Sequence, residues 1–162
     1  MPLNELLPKA VRLYPEKEAV VCGELRMTYV DFAARVWRLA WGLRELGIHK
    51  GDRVAVLHEN SHEYLEAYFA AAHLGIILVS LNYRLAKKEL EGILNDSESR
   101  VLISQGVFYE KAKKLSESVS TLEKIIWTRI EGQSLSREDM EYEQFLKNHP
   151  DQPPPAPVIL DD

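Results

Sequence analysis

Residues 51–61 read GDRVAVLHENS, a turn, an apolar run and a helix start in eleven positions. Gly51 and Asp52 supply turn chemistry, Arg53 enters, and Val54, Ala55, Val56 and Leu57 follow without a polar break. An uninterrupted apolar run of this length suits a strand covered on both faces, which points to a parallel sheet packed between helices. Asn60 and Ser61 then offer side-chain oxygens to the orphan N–H groups of a following helix. A strand that feeds directly into a helix is half of a βαβ unit.

Reading outward toward the N-terminus, residues 28–47 give the clearest helix. Thr28 and Asp31 form a capping box, Phe32, Val36, Leu39, Leu43 and Leu46 recur at spacings of four and three, and Gly47 stands at the stop. Before it, residues 19–21 and 26–28 flank Gly23 and Glu24 as a hairpin, and residues 3–13 carry leucines at helical spacing up to the Tyr14-Pro15 break. Toward the C-terminus, residues 63–74 predict a helix with Leu65, Tyr68, Phe69 and Ala72 on one face and Gly75 as its stop. Strands are expected at 76–81, 100–104 and 124–128, with helices at 86–95 and 108–119 between them. The alternation predicts an α/β fold: a three-layer parallel sheet with helices on both faces and right-handed crossovers, whose central strands include 54–57, 76–81, 101–104 and 124–128. Past Arg129 the pattern weakens to a loop at 131–134 and one short helix at 142–147. Prolines at 150, 153, 154, 155 and 157 exclude helix and inner strand, so residues 150–162 read as a semi-rigid linker after a subdomain spanning 1–149.

Composition narrows the function classes. The chain has 162 residues, 46% of them hydrophobic and 28% charged, which suits one globular domain with a real core. A net charge of −5 with no block of like charges and no basic stripe argues against a nucleic-acid partner. Cys22 is the single cysteine, so an intrachain disulfide or a multi-cysteine metal site is excluded, and a reducing compartment, the cytoplasm, is expected. Residues 1–9 lack the apolar core of a signal peptide, and the run at 76–79 is far too short to span a membrane.

One motif demands weighing. His58-Glu59-Asn60-Ser61-His62 matches H-E-x-x-H, a zinc-protease pattern that requires both histidines one turn apart on a helix with the glutamate as base. Here His58 is expected at a strand end and His62 in the first helical turn, so the rings need not converge and no metal site is assigned. Glycine-rich phosphate loops and a G-x-S-x-G elbow are absent from the sequence. The βα turns near Asn60 and Gly106 are more simply capped helices than anion sites. Glu89, Glu91, Asp96 and Glu98 read as a solvated face. Trp37 and Trp41, one turn apart beside Arg38 and Arg44, read as packing against a neighbouring element, with a partner surface as the sharper alternative.

Seven pieces in order resemble the AMP-forming acyl-CoA synthetases, the acyl-adenylating family that includes fatty-acid–CoA and aryl–CoA ligases, luciferase and peptide-synthetase adenylation domains. They are YPEKEAV at 14–20, MTY at 27–29, LRELG at 43–47, GDRVAV at 51–56, NS at 60–61, LNYRL at 81–85 and ILNDS at 93–97. The resemblance implies the first subdomain of that family's large domain, ahead of the Ser/Thr/Gly-rich phosphate loop that an acidic pair such as Asp161-Asp162 precedes in relatives. Where relatives commonly have proline after Asn-Ser, this chain has His62, which makes the H-E-x-x-H look accidental. None of the family's catalytic, cofactor-binding or metal-binding residues maps onto this chain, so no site residue of any of the three kinds is assigned. ATP, Mg²⁺, CoA and a carboxylic acid, a fatty acid first among them, are implied for the full-length parent, and the 162-residue chain alone is expected to bind none of these cofactors and to be inactive. Self-association, most simply as a homodimer through surface left by the missing subdomains, is also expected. The alternatives are a stand-alone non-catalytic binding or dimerisation module and a flavodoxin-like nucleotide binder, whose ligand would lie beyond the carboxyl ends of the strands.

Overall fold

The structure is a computed structural model and describes residues 2–156. The end of the expected linker, with Pro157 and the Asp161-Asp162 pair, lies outside the described residues. Two compact units interleave along the chain.

The first unit takes in residues 2–51, 61–76 and 146–156. It opens with helix α1 (Leu3–Leu13), which stops before Pro15 as the sequence predicts, and continues into the antiparallel hairpin β1 (Glu18–Cys22) and β2 (Leu25–Thr28). Gly23 turns that hairpin at φ +59°, a conformation only glycine adopts without cost. Helix α2 (Tyr29–Glu45) starts on the anticipated capping box, Thr28 Oγ1 accepting from the Asp31 N–H while the Asp31 carboxylate accepts from the Thr28 N–H. It ends in a Schellman motif: the Gly47 N–H donates to the Arg44 carbonyl and the Ile48 N–H to that of Leu43. Helix α3 (His62–Leu74) is capped by Ser61, whose hydroxyl accepts from the Tyr64 N–H.

The buried face of α3 differs from the predicted one. Leu65 and Tyr68 are exposed, whereas Glu66, Ala67, Ala70, Ala71 and Leu74 are buried, and Phe69 meets Phe32 of α2 edge-on at 5.6 Å. A helix carrying four alanines among larger residues has no single apolar stripe. Its small side chains admit close packing with α2, and burial follows the neighbour rather than residue size.

The second unit takes in residues 52–60 and 77–145. Strands β3 (Arg53–Leu57), β4 (Ile77–Leu81), β5 (Val101–Gln105), β6 (Lys124–Thr128) and β7 (Met140–Glu141) form one parallel sheet in the order β4-β3-β5-β6-β7. Helices α4 (Lys87–Ser97) and α5 (Tyr109–Ser118) place Leu90, Leu94, Ala112 and Leu115 against Ala55, Leu57, Leu102 and Trp127. The alternate residues Val54, Val56, Val101, Ile103 and Ile126 are also buried, so the inner strands are covered on both faces, as their unbroken apolar runs require. The predicted α/β class and parallel sheet flanked by helices are therefore present. Strand β4 occupies the sheet edge rather than an inner position, with Ile77 54% exposed, because β3 uses its other side to pair with β5. Strand β7 has only two residues, too few to leave a periodicity. Helix α6 (Tyr142–Lys147) coincides with the short helix expected there and carries the chain from the second unit back to the first.

Candidate functional site

Chain order and spatial order part company at β3. The crossover from β3 leads to β4 on one side and the next, from β4, leads to β5 on the other, so the topological switch point lies between β3 and β5. In open α/β sheets ligands bind in the crevice outside the carboxyl ends of the strands at such a point. The residues that close these strands here are His58, Ser104, Gln105 and Thr128, all buried.

They interlock. The His58 Nδ1 lies 2.7 Å from the Glu59 carbonyl oxygen, which only accepts, so Nδ1 carries the proton. Nε2 is then an acceptor, and the Thr128 hydroxyl donates to it at 2.7 Å. Glu59 and Gln105 bond reciprocally across the switch point: the Glu59 N–H donates to Gln105 Oε1 at 3.1 Å, and Gln105 Nε2 donates to Glu59 Oε2 at 3.2 Å. Just beyond, Gly106 passes so close to the Arg129 carbonyl that a Cβ would overlap it, and Arg129 itself takes φ +49°, a left-handed conformation uncommon outside glycine. Close approach and strain at the ends of β5 and β6 are features of loops held to a fixed shape. Chemically the arrangement is a brace: both imidazole nitrogens of His58 are engaged, leaving no lone pair for a metal or for taking a substrate proton.

The second histidine of the H-E-x-x-H pattern serves a different cluster. His62 Nδ1 lies 2.9 Å from Glu66 Oε1 and Nε2 lies 3.3 Å from Glu63 Oε2, while the fully buried Glu66 carboxylate also receives Arg35 Nε at 2.6 Å. His58 ends a strand and His62 begins α3, as their places in the sequence suggest, and each has its own partners. Among the described residues, no group of three or more His, Cys, Asp or Glu side chains is arranged to hold a metal ion. Of the four carboxylates read as a solvated face, Glu89, Asp96 and Glu98 are exposed and Glu91 is half-buried. Glu89 caps α4 at the Ala86 N–H, Glu91 pairs with Lys87, and Glu98 pairs with Arg53. Gln105 and Thr128 were missed by sequence reasoning, although each is a polar residue closing an apolar strand run.

At the amino ends of the same strands the contacts are ionic. Arg100 donates from Nε and one terminal nitrogen to the two Glu123 oxygens at 2.8 and 3.1 Å, and from the other to Asp52 at 2.9 Å. The hydrogen bond to Arg100 holds the Glu123 carboxyl below the usual carboxylate range, and its counterpart raises Arg100 above the ordinary guanidinium value.

Comparison with known proteins bears on the whole chain. The profile of the family described as AMP-binding enzyme matches residues 7–162. A feruloyl-CoA synthase from Amycolatopsis sp is 36% identical over 154 residues, covering 95% of this chain and 28% of that protein. A long-chain-fatty-acid–CoA ligase from Mycobacterium tuberculosis is 48% identical over 100 residues, 60% of this chain and 20% of that enzyme. The crystal structure of the N-terminal domain of FACL13 from Mycobacterium tuberculosis superposes with a TM-score of 0.85 at 29% identity, covering all of this chain and 40% of that one. The chain thus spans less than a third of the feruloyl-CoA synthase it matches. With seven ordered sequence pieces, a parallel sheet and a profile match over nearly its full length all in agreement, the chain belongs to the AMP-binding enzyme family, in which the relatives it matches are named as CoA synthases and ligases.

Proposed function

We propose that this chain is the N-terminal scaffold of an ATP-dependent acyl-CoA synthetase and that it does no chemistry alone. In the parent reaction a carboxylate oxygen attacks the α-phosphate of ATP, pyrophosphate leaves, and the CoA thiol then displaces AMP from the acyl-adenylate. The substrate class is a fatty or aromatic carboxylic acid, in keeping with the names of the relatives, with Mg²⁺ neutralising the triphosphate. The cytoplasm is the expected compartment; no described helix is long and apolar enough to cross a membrane.

The observation that carries this reading is the filled switch point. A stand-alone nucleotide binder of doubly wound topology would receive its ligand between β3 and β5, where the Glu59–Gln105 bridge and the buried His58–Thr128 pair now stand. Adenylation needs donors aimed at charge developing on the α-phosphate. The side chains at this edge are instead spent on one another.

The test is ATP–pyrophosphate exchange with the purified 162-residue chain, Mg²⁺, and acetate, medium-chain and long-chain fatty acids and benzoate. Exchange at the no-protein level is expected. Exchange above it, abolished by substitution of a residue in this chain, overturns the proposal. Self-association as a homodimer belongs to the same reading, supported by the outer strand β4 with its exposed Ile77. Sedimentation showing only monomer at the highest soluble concentration removes that part.

A further inference from the structure

The Asp151–Ala156 stretch, DQPPPA, contains three consecutive prolines, and Pro157 follows it. Gln152, Pro153, Pro154 and Ala156 each precede a proline and are biased to extended backbone, while residues 153–155 have no N–H to donate. Such a segment offers a partner only carbonyl acceptors and flat rings. The surface it lies on, formed by α2 and α3 within the first unit, offers two ring N–H donors and a guanidinium. Trp41 Nε1 donates to the Gln152 carbonyl at 2.8 Å, His73 Nε2 to that of Pro154 at 2.7 Å, and an Arg44 terminal nitrogen to that of Pro155 at 3.3 Å.

The donors are held in place. His73 is 7% exposed and its ring lies 4.8 Å from that of Trp37, itself 6% exposed, and the Arg44 guanidinium sits 5.2 Å from the Trp41 ring centre. Pro154, whose carbonyl His73 takes, is itself buried. Because Nε2 faces a carbonyl it bears the ring proton, which leaves Nδ1 as a bare buried acceptor without a partner. Side-chain contacts along the strap are looser by comparison: Asp151 lies 3.7 Å from Arg38 and is half exposed. Aromatic rings with N–H donors spaced along carbonyls are the physical basis of polyproline recognition, in which the ligand is pre-extended and loses little entropy on docking.

We propose that the Trp37–Trp41–Arg44–His73 face is a recognition surface for extended proline-rich backbone, and that residues 151–156 occupy it in cis as a strap. Recognition resides in the proline backbone rather than in the Asp151 or Gln152 side chains. The strap is therefore a competitor for any proline-rich peptide offered in trans.

The test uses the whole chain and the indole N–H signals of its three tryptophans in ¹H–¹⁵N spectra, assigned by Trp→Phe variants. In the parent the Trp41 indole is expected to exchange with solvent at least about tenfold slower than a free indole, the protection one good hydrogen bond confers. Replacing Pro153, Pro154 and Pro155 together by glycine should abolish that protection while leaving the Trp127 indole, in the other unit, unshifted as the reporter of an intact fold. Adding the peptide HPDQPPPAP to this variant should shift the Trp41 signal saturably, and the same peptide with glycine for every proline should not. Asp151→Asn should leave the protection within about twofold, as expected for an exposed ion pair. Parent exchange at the free-indole rate, a measurement that needs no variant, overturns the proposal. So does protection surviving in the triple variant, or equal binding of the proline and glycine peptides.

Discussion

The two ends of β3, β5 and β6 are held by opposite chemistry. At the amino ends, Arg100 clips Asp52 and Glu123 with charged side chains that are roughly a quarter to a half exposed. At the carboxyl ends, the Glu59–Gln105 bridge spans the switch point, and the imidazole–hydroxyl pair of His58 and Thr128 is buried to 2% exposure or less. Exposed ions tolerate loss of a partner because water replaces it, whereas a buried polar atom has no substitute. The carboxyl edge should therefore be brittle and insensitive to salt, and the amino edge forgiving and sensitive to both salt and pH.

Breaking the strand that joins the two ends should have the largest effect. Val56 is fully buried in the middle of β3, and Val56→Asp places an unpaired carboxylate in a dry core at a cost of several kcal/mol against a total stability of about 5–15. Loss of the cooperative thermal transition is expected; melting within a degree or two of the parent would show that Val56 is not in the core. Next, Thr128→Val keeps the shape but leaves His58 Nε2 without its donor, which should cost about 1–3 kcal/mol in denaturant unfolding. The value should be unchanged by added salt, and a neutral outcome would mean that the hydroxyl does not satisfy the ring.

At the other edge Arg100→Met should cost about 1 kcal/mol or less, and the difference from the parent should shrink in high salt as screening weakens the pairs. A salt-independent loss larger than that of Thr128→Val would reverse the comparison. The smallest effect is expected from acid. Glu123 has its folded pKa lowered by Arg100, so its contribution is whole above its unfolded value of about 4.3 and is lost as pH falls through the lower folded value. Glu123→Gln should therefore flatten the acid limb of the stability profile below about pH 4.3 and leave the limb above pH 6 parallel to the parent. Identical acid limbs in parent and variant would remove Glu123 from the account.

Local signals read well wherever a single residue or a short period carries the physics. The capping box at Thr28, the glycine stops at 47 and 75, the four strands and the short helix at 142–147 were all legible, because each depends on backbone conformation or on an apolar run that no neighbour has to interpret. The family resemblance rested on the same kind of evidence, ordered pieces of strand, turn and cap, and the profile match extends it over residues 7–162.

What stayed hidden was pairwise. The buried face of α3 depended on which helix came to pack against alanines, and the edge position of β4 depended on β5 pairing with the far side of β3. The role of His58 depended on Thr128, 70 positions away, and that of the proline segment on Trp41 and His73. Periodicity and motifs report how a residue relates to its neighbours in the chain. A hydrogen bond between buried side chains far apart in sequence exists only after the sheet order has brought them together. The amino acids alone therefore determined the elements and the family, and tertiary packing decided that a histidine resembling a metal ligand is a brace and that a proline run resembling a spacer is bound along its backbone.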